Sequence, residues 1–377
     1  MLDTGSYAER LAKARALMHT HALDYLVVGP SADLIYLLGA HNHVSERLAL
    51  LLLPQEGPAH VVLPAFEAPV LPSLPPDVHV TTWGESDNPA RMAATLIASG
   101  MSAHPGGAQL TIGVSDRVWA VFLLRLQAEL PRAAFTTASH VLSALRLLKS
   151  EAEIASLRES GRRADEVFTE IVRRPFAGRT ELAIAQEIAG MLKERGLALD
   201  HLPIVGSGPN SASPHHLPGE RVIKSGDAVV LDFGGTLEGY YSDITRTVFV
   251  GKSPQAGSEE TRVYALVAAA QDAAVRAARP GMPCEQLDAV ARDIITEAGY
   301  GEYFNHRLGH GIGLDGHEPP YLVRGNSQAL QPGMAFSIEP GVYLPGKFGV
   351  RVEDSVVLHK DGAERFNNVT REIVVVK

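Results

Sequence analysis

Residues 228–235 read AVVLDFGG and residues 335–342 read AFSIEPGV, so the chain writes one pattern twice, with Asp232 in one copy and Glu339 in the other. Gly226 precedes the first copy as Gly333 precedes the second. A second acid follows each: Asp243 in YYSDITRT at 11 residues, Glu353 in VRVEDS at 14. The match extends upstream. Gly178 and Gly196 bound a helical stretch of the same span as Gly281 and Gly299, with Ile184 answering Leu287 and Met191-Leu192 answering Ile294-Ile295. Each half is therefore a helix, a glycine-bounded helix, and then strands carrying acids. Two copies of roughly a hundred residues are too long and too few for a solenoid, and they predict a domain with a pseudo-twofold axis. Related strands would then bring Asp232, Asp243, Glu339 and Glu353 to one central place.

Four carboxylates in one place repel unless protons or cations neutralise them, because burying an unpaired charge is expensive. A cation cluster is the natural reading. The segment HRLGHGIGLDGHEPP adds His306, His310 and His317 in a run too rich in glycine for a helix; Gly309, Gly311 and Gly313 let backbone approach closely. Four carboxylates and an imidazole form an oxygen-rich donor set suited to Mn²⁺, Co²⁺, Fe²⁺ or Zn²⁺. Two divalent ions sharing carboxylates fit that number of ligands better than one. Such a pair acidifies a shared water and clamps a substrate oxygen.

Composition narrows the remaining choices. A chain of 377 residues, 45% hydrophobic and 20% charged, is globular and long enough for two domains. A net charge of −9 argues against nucleic acid as a partner. The single cysteine, Cys284, excludes a disulfide framework and a thiolate cluster. Residues 1–25 show no secretory leader pattern, and the most apolar run, Leu48–Leu53, is far short of a membrane span. A cytoplasmic protein without membrane attachment is expected.

Before the duplicated part, Ala8 to His21 has helical spacing, and DYLVVG, LALLLLP and HVVLP read as strands. Residues 84–110, containing Asn88, Pro89 and Pro105, read as loop, and residues 117–130 as helix. This alternation predicts a small α/β domain over residues 1–140, with a catalytic domain over 141–377. At its start, SEAE is a capping box with Ser150 as N-cap and Glu153 reaching back, opening a helix to about Arg174. A second helix should run from Thr180 to Arg195. GIGLDG, residues 311–316, matches GxGxxG but has no helix after it, and no GxSxG elbow exists.

These residues resemble the pita-bread metallopeptidases, the family of aminopeptidase P, prolidase, methionine aminopeptidase and creatinase. The resemblance covers the whole chain, with a creatinase-like N-terminal α/β domain before an α+β pita-bread catalytic domain. It implies that Asp232 binds one metal ion, that His310 and Glu339 bind the other, and that Asp243 and Glu353 bridge both. Glu339 would also take a proton from the attacking water. VGSGPNSASPHHLPG resembles the family's substrate loop, which implies that His215 lies beside the scissile carbonyl. His317 matches the second active-site histidine, and both would donate to the carbonyl oxygen or the tetrahedral intermediate. His216 is expected to be an ordinary neighbour, His306 to support the site or touch substrate, and Arg351 to support Glu353 or Asp243 or to contact substrate. His41 and His43 are expected in a loop.

The resemblance also implies short peptide substrates, hydrolysis of the N-terminal peptide bond, a preference for Xaa-Pro, and a homodimer. Tyr321 stands where prolidases of this family place an arginine that binds a dipeptide's carboxylate, with Arg324 nearby. An aminopeptidase P-like activity on longer peptides is thus expected, with an Xaa-Pro dipeptidase or a broader aminopeptidase as alternatives. A non-catalytic binding protein on the same scaffold would be expected to have lost ligands that this chain keeps.

Overall fold

The computed structural model describes residues 4–41, 44–100 and 109–377, so His43 lies outside the described residues. His41 is exposed and lies in neither helix nor strand. The chain divides into two compact units, Met1–Arg146 and Leu147–Lys377.

In the first unit, helix α1 (Thr4–Thr20) precedes the buried run of strand β1 (Tyr25–Val28). The apolar runs LALLLLP and HVVLP become strands β2 (Leu50–Pro54) and β3 (Ala59–Pro64), and β4 (Val78–Trp83), β5 (Thr111–Val114) and β6 (Ala134–Thr137), which the sequence reading did not assign, join them. They form one mixed sheet in the order β4-β3-β2-β1-β5-β6. One expectation is overturned here. The stretch read as loop contains a helix, Pro89–Gly100, which packs Ala90, Ala93, Ala94 and Ile97 onto the core. Proline breaks helices in their interior but opens them at the first position. Asn88 caps this helix, its side-chain oxygen accepting from the Arg91 amide at 3.1 Å.

The second unit opens with the capping box. The Ser150 amide donates to Glu153 at 2.8 Å and the Glu153 amide to Ser150 Oγ at 3.4 Å, starting helix Glu151–Ile171. Helix Glu181–Glu194 follows, capped by Thr180. Their counterparts in the second half are Glu259–Ala277 and Cys284–Glu297. The paired glycines share one backbone conformation: φ is 83° and 85° at Gly178 and Gly281, 74° and 85° at Gly196 and Gly299, 95° and 91° at Gly226 and Gly333. All six lie in the left-handed region that favours glycine.

The strands show the same symmetry. In the first half they are β7 (Ile204–Ser207), β8 (Ala228–Phe233), the short pair β9 (Thr236–Leu237) and β10 (Tyr240–Tyr241), and β11 (Ile244–Val250). The second half has β12 (Gly309–Gly311), β13 (Glu318–Leu322), β14 (Ala335–Ile338), β15 (Gly341–Leu344), β16 (Phe348–Arg351) and β17 (Glu353–Leu358). The main sheet runs β13-β12-β14-β17-β11-β8-β7. Strands β11 and β17 pair antiparallel at its centre, with β8 and β14 outside them and β7 and β12 beyond. The pseudo-twofold axis thus passes between β11 and β17. Each half keeps its own core: Phe168, Ile184, Ile188 and Leu231 pack in one, Val267, Leu287, Ile295 and Phe336 in the other.

Candidate metal centre

Strand register assembles the acids. Asp232 lies opposite Thr245, and Thr245 lies opposite Glu353, so three adjacent strands align these residues in one row. Side chains alternate along a strand, which puts Asp243, two residues before Thr245, on the same face. Ile338 pairs with Asp354, so Glu339 emerges from β14 beside Glu353. Gly311 pairs with Phe336, which sets His310 beside Ser337. A Cβ at Gly309 would collide with the Ser337 carbonyl and one at Gly311 with the Pro319 carbonyl, so only glycine allows this close packing around His310.

Donor atoms of Asp232, Asp243 and Glu353 lie within 4.8 Å of one another, as do those of His310, Glu339 and Glu353. The His310 Nε2 atom is 3.3 Å from Glu339 and 3.7 Å from Asp243. All five expected ligands are therefore together. His317 is with them too: it forms a third such group with Asp243 and His310, its ring stacked on that of His310 with centroids 3.6 Å apart.

Whether this cluster suits divalent cations can be judged from its electrostatics. Burial and the neighbouring Asp232 push Asp243 up to about 8, and burial with Asp243 drives Glu353 well above the carboxylate range. Burial also disfavours the charge on Glu339, but the hydrogen bond and charge of His310 overcome it and hold this acid at about 2. Glu353 accepts from the Thr245 hydroxyl at 2.6 Å through one oxygen, while its buried Oε1 has no hydrogen-bond partner. A buried carboxylate oxygen with no donor, in a cluster that repels its own charge, fits a bound cation. Burial and His310 lower His317 to about 4, and burial lowers His306, so both rings stay neutral at ordinary pH.

Arg351 pairs with neither acid expected of it. Its Nη2 donates to Asp232 at 2.6 Å, its Nε to Thr245 at 3.0 Å and its Nη1 to the Tyr343 hydroxyl at 2.8 Å. The cause is position: Arg351 and Glu353 lie two residues apart, but the chain leaves hairpin β15–β16 for the main sheet between them. His306 meets the same tyrosine, Nε2 to hydroxyl 2.9 Å, so Tyr343 joins Arg351 to His306. Sequence reasoning gave no role to Thr245 or Tyr343, whose importance lies in contacts across strands.

His215 is exposed on the segment after β7, close enough for its charge to bear on His306 and His317. His216 is not an idle neighbour: its Nε2 lies 2.8 Å from Glu181, a fully buried acid that the sequence reading passed over. Tyr321 pairs with His310 across β12 and β13, and the Arg307 guanidinium lies over its ring at 4.4 Å. GIGLDG runs from β12 through bends into β13, with no helix, as expected of a chance match.

The sequence pattern of metallopeptidase family M24 matches residues 155–360, and that of the creatinase/prolidase N-terminal domain matches residues 10–148. The chain belongs to metallopeptidase family M24. It is a metal-dependent peptide hydrolase, with a creatinase-type N-terminal domain before the pita-bread domain. Among M24 relatives, a probable dipeptidase PepE of Mycobacterium tuberculosis is 42% identical over 99% of this chain and 98% of its own length. An Xaa-Pro dipeptidase of Lactobacillus delbrueckii is 34% identical over 97% and 98%. A prolidase structure from Thermococcus sibiricus superposes with a TM-score of 0.91 at 37% identity, covering 100% of both chains. Among the described residues, no helix is long and apolar enough to cross a membrane.

Proposed function

We propose that this M24 enzyme hydrolyses the N-terminal peptide bond of short peptides at a centre for two divalent ions, with a preference for proline after the scissile bond. The carrying observation is that Glu353 and Asp243 each belong to two of the three donor groups, and Asp243 faces His310 at 3.7 Å, which makes these two acids suited to bridging. Asp232 would hold one ion, and His310 and Glu339 the other. When bound, such ions supply Lewis-acid polarisation of the carbonyl and acidify the attacking water. Glu339, which the bound cation would keep ionised, accepts the proton that the water gives up as its oxygen joins the carbonyl carbon. The same carboxyl returns that proton to the departing amine nitrogen as the C–N bond breaks. His215 and His317, the latter neutral, donate hydrogen bonds to the carbonyl oxygen as it gains charge. Arg351 holds Asp232 from behind, and Tyr343 ties Arg351 to His306. Proline preference is supported by the Xaa-Pro dipeptidases among the relatives. A homodimer in the cytoplasm rests on the resemblance to the family.

Replacement of the carboxylate-binding arginine by Tyr321 supports acceptance of longer peptides. A second reading, action on dipeptides alone, is favoured by Arg307. This exposed cation on the Tyr321 ring makes no ion pair or hydrogen bond among the described residues, and it could meet a free carboxylate. Ala-Pro, Ala-Ala and Ala-Pro-Ala assayed at equal concentration separate these readings. The first predicts Ala-Pro-Ala cleaved at a rate comparable with Ala-Pro or above it, and Ala-Ala more slowly. Cleavage of dipeptides alone, with kcat/KM falling in Arg307→Ala, would establish the second.

A further inference from the structure

We infer that Glu181 is a positioning residue for catalysis, holding the segment 207–219 so that His215 faces the substrate carbonyl. Glu181 stands at the first position of helix Glu181–Glu194, with none of its surface exposed. Its carboxylate accepts from the Ser207 amide at 2.8 Å, the Ser207 hydroxyl at 2.7 Å, Asn210 Nδ2 at 3.0 Å and the Gly219 amide at 3.4 Å, and lies 2.8 Å from His216 Nε2. Every one of these partners belongs to the segment that carries His215. Arg221 adds a further support, donating to the Ser207 hydroxyl while paired with Asp227 at 2.7 Å. His216 and His215 are consecutive, yet one is tied inward to Glu181 and the other is exposed. Fixing the first orients the second.

The duplication shows that folding alone does not require this acid. Cys284 lies three residues after Gly281 as Glu181 lies three after Gly178, and it too is fully buried at the first position of its helix. Both helices dock through equivalent bridges, Thr180 to Val222 and Pro283 to Ala329. The same joint is thus built once with a small apolar side chain and once with a carboxylate. Burying a carboxylate is expensive unless donors saturate it. The half with the carboxylate is the half whose neighbouring segment carries an expected carbonyl donor.

This inference rests on the proposed role of His215, so the test is a double-mutant cycle. Glu181→Gln and Glu181→Cys, the latter copying the second half, are each made in the wild type and in His215→Ala. Metal content, kcat and KM on one Xaa-Pro dipeptide and amide exchange over residues 207–219 are measured. In the wild-type background we expect kcat to fall about 10- to 100-fold with metal content unchanged and exchange over 207–219 accelerated. In the His215→Ala background the same change should cost about 2-fold or less, because the group it positions is gone. Equal losses in both backgrounds overturn the inference alone and make Glu181 merely structural. Normal turnover of His215→Ala overturns the role of His215, and the inference falls with it. If Glu181→Gln fails to fold, the cysteine variant decides.

Discussion

Glu353 shows how one residue can be understood from its surroundings. Burial and three neighbouring carboxylates oppose its charge, with Arg351 and the Thr245 hydroxyl set against them. A carboxylate kept in such a place is explained by a cation it would hold. His215 presents the opposite case, an exposed imidazole outside every group of candidate ligands. Its proposed work begins only when substrate charge develops. His215→Ala should therefore bind metal like the wild type while kcat falls about 10²–10³-fold, the usual effect of removing one such donor. Elemental analysis beside steady-state kinetics checks this, and metal loss or near-normal turnover would count against the assignment.

Elements were legible in the sequence to the extent that their signals were local. The Ser150–Glu153 capping box, the glycine-bounded helices and the buried strands depend on neighbours a few residues away. Helix Pro89–Gly100 departs from the loop expected there because Asn88 before Pro89 supplies the cap that turns a helix-breaking proline into a starter. The row Asp232–Thr245–Glu353 and the anchoring of His216 by Glu181 depend on register between distant strands, which no local window contains. The same limit hid Lys149. This residue, just before helix Glu151–Ile171, buries its ammonium 2.7 Å from Glu318, the neighbour of His317, with both side chains almost wholly enclosed. Lys149→Met would take away the cation paired with this buried carboxylate, a destabilisation of about 3–5 kcal/mol. Lys149→Met/Glu318→Gln should recover much of that loss. Denaturant unfolding of both variants tests the pair, and a small effect in the single variant would show that Glu318 is satisfied without the lysine.

At the scale of the whole catalytic unit, duplication has a consequence that neither half has alone. Each half brings one acid from its outer strand and one from its central strand, and the axis between β11 and β17 brings the two pairs together. The halves then differ where chemistry needs them to: His310 answers the first half from β12, and the His215 segment extends from β7. Such an arrangement stabilises the fold around ions and strains it without them, since the four carboxylates lie at the seam joining the halves. Chelation should therefore do more than stop hydrolysis. Ions that bind only the folded protein stabilise it by about 2.7 kcal/mol at a free concentration 100 times Kd. Protein stripped with EDTA and shown to be metal-free should lose activity and melt at a lower Tm, and Mn²⁺, Co²⁺ or Zn²⁺ should restore both. Recovery should require the same residues for both readouts, so Glu353→Gln should blunt the metal-dependent rise in Tm as well as activity. Full activity and an unchanged Tm in metal-free protein would mean that the seam is neutralised by protons instead, and the reading of the four acids as a metal centre would fall.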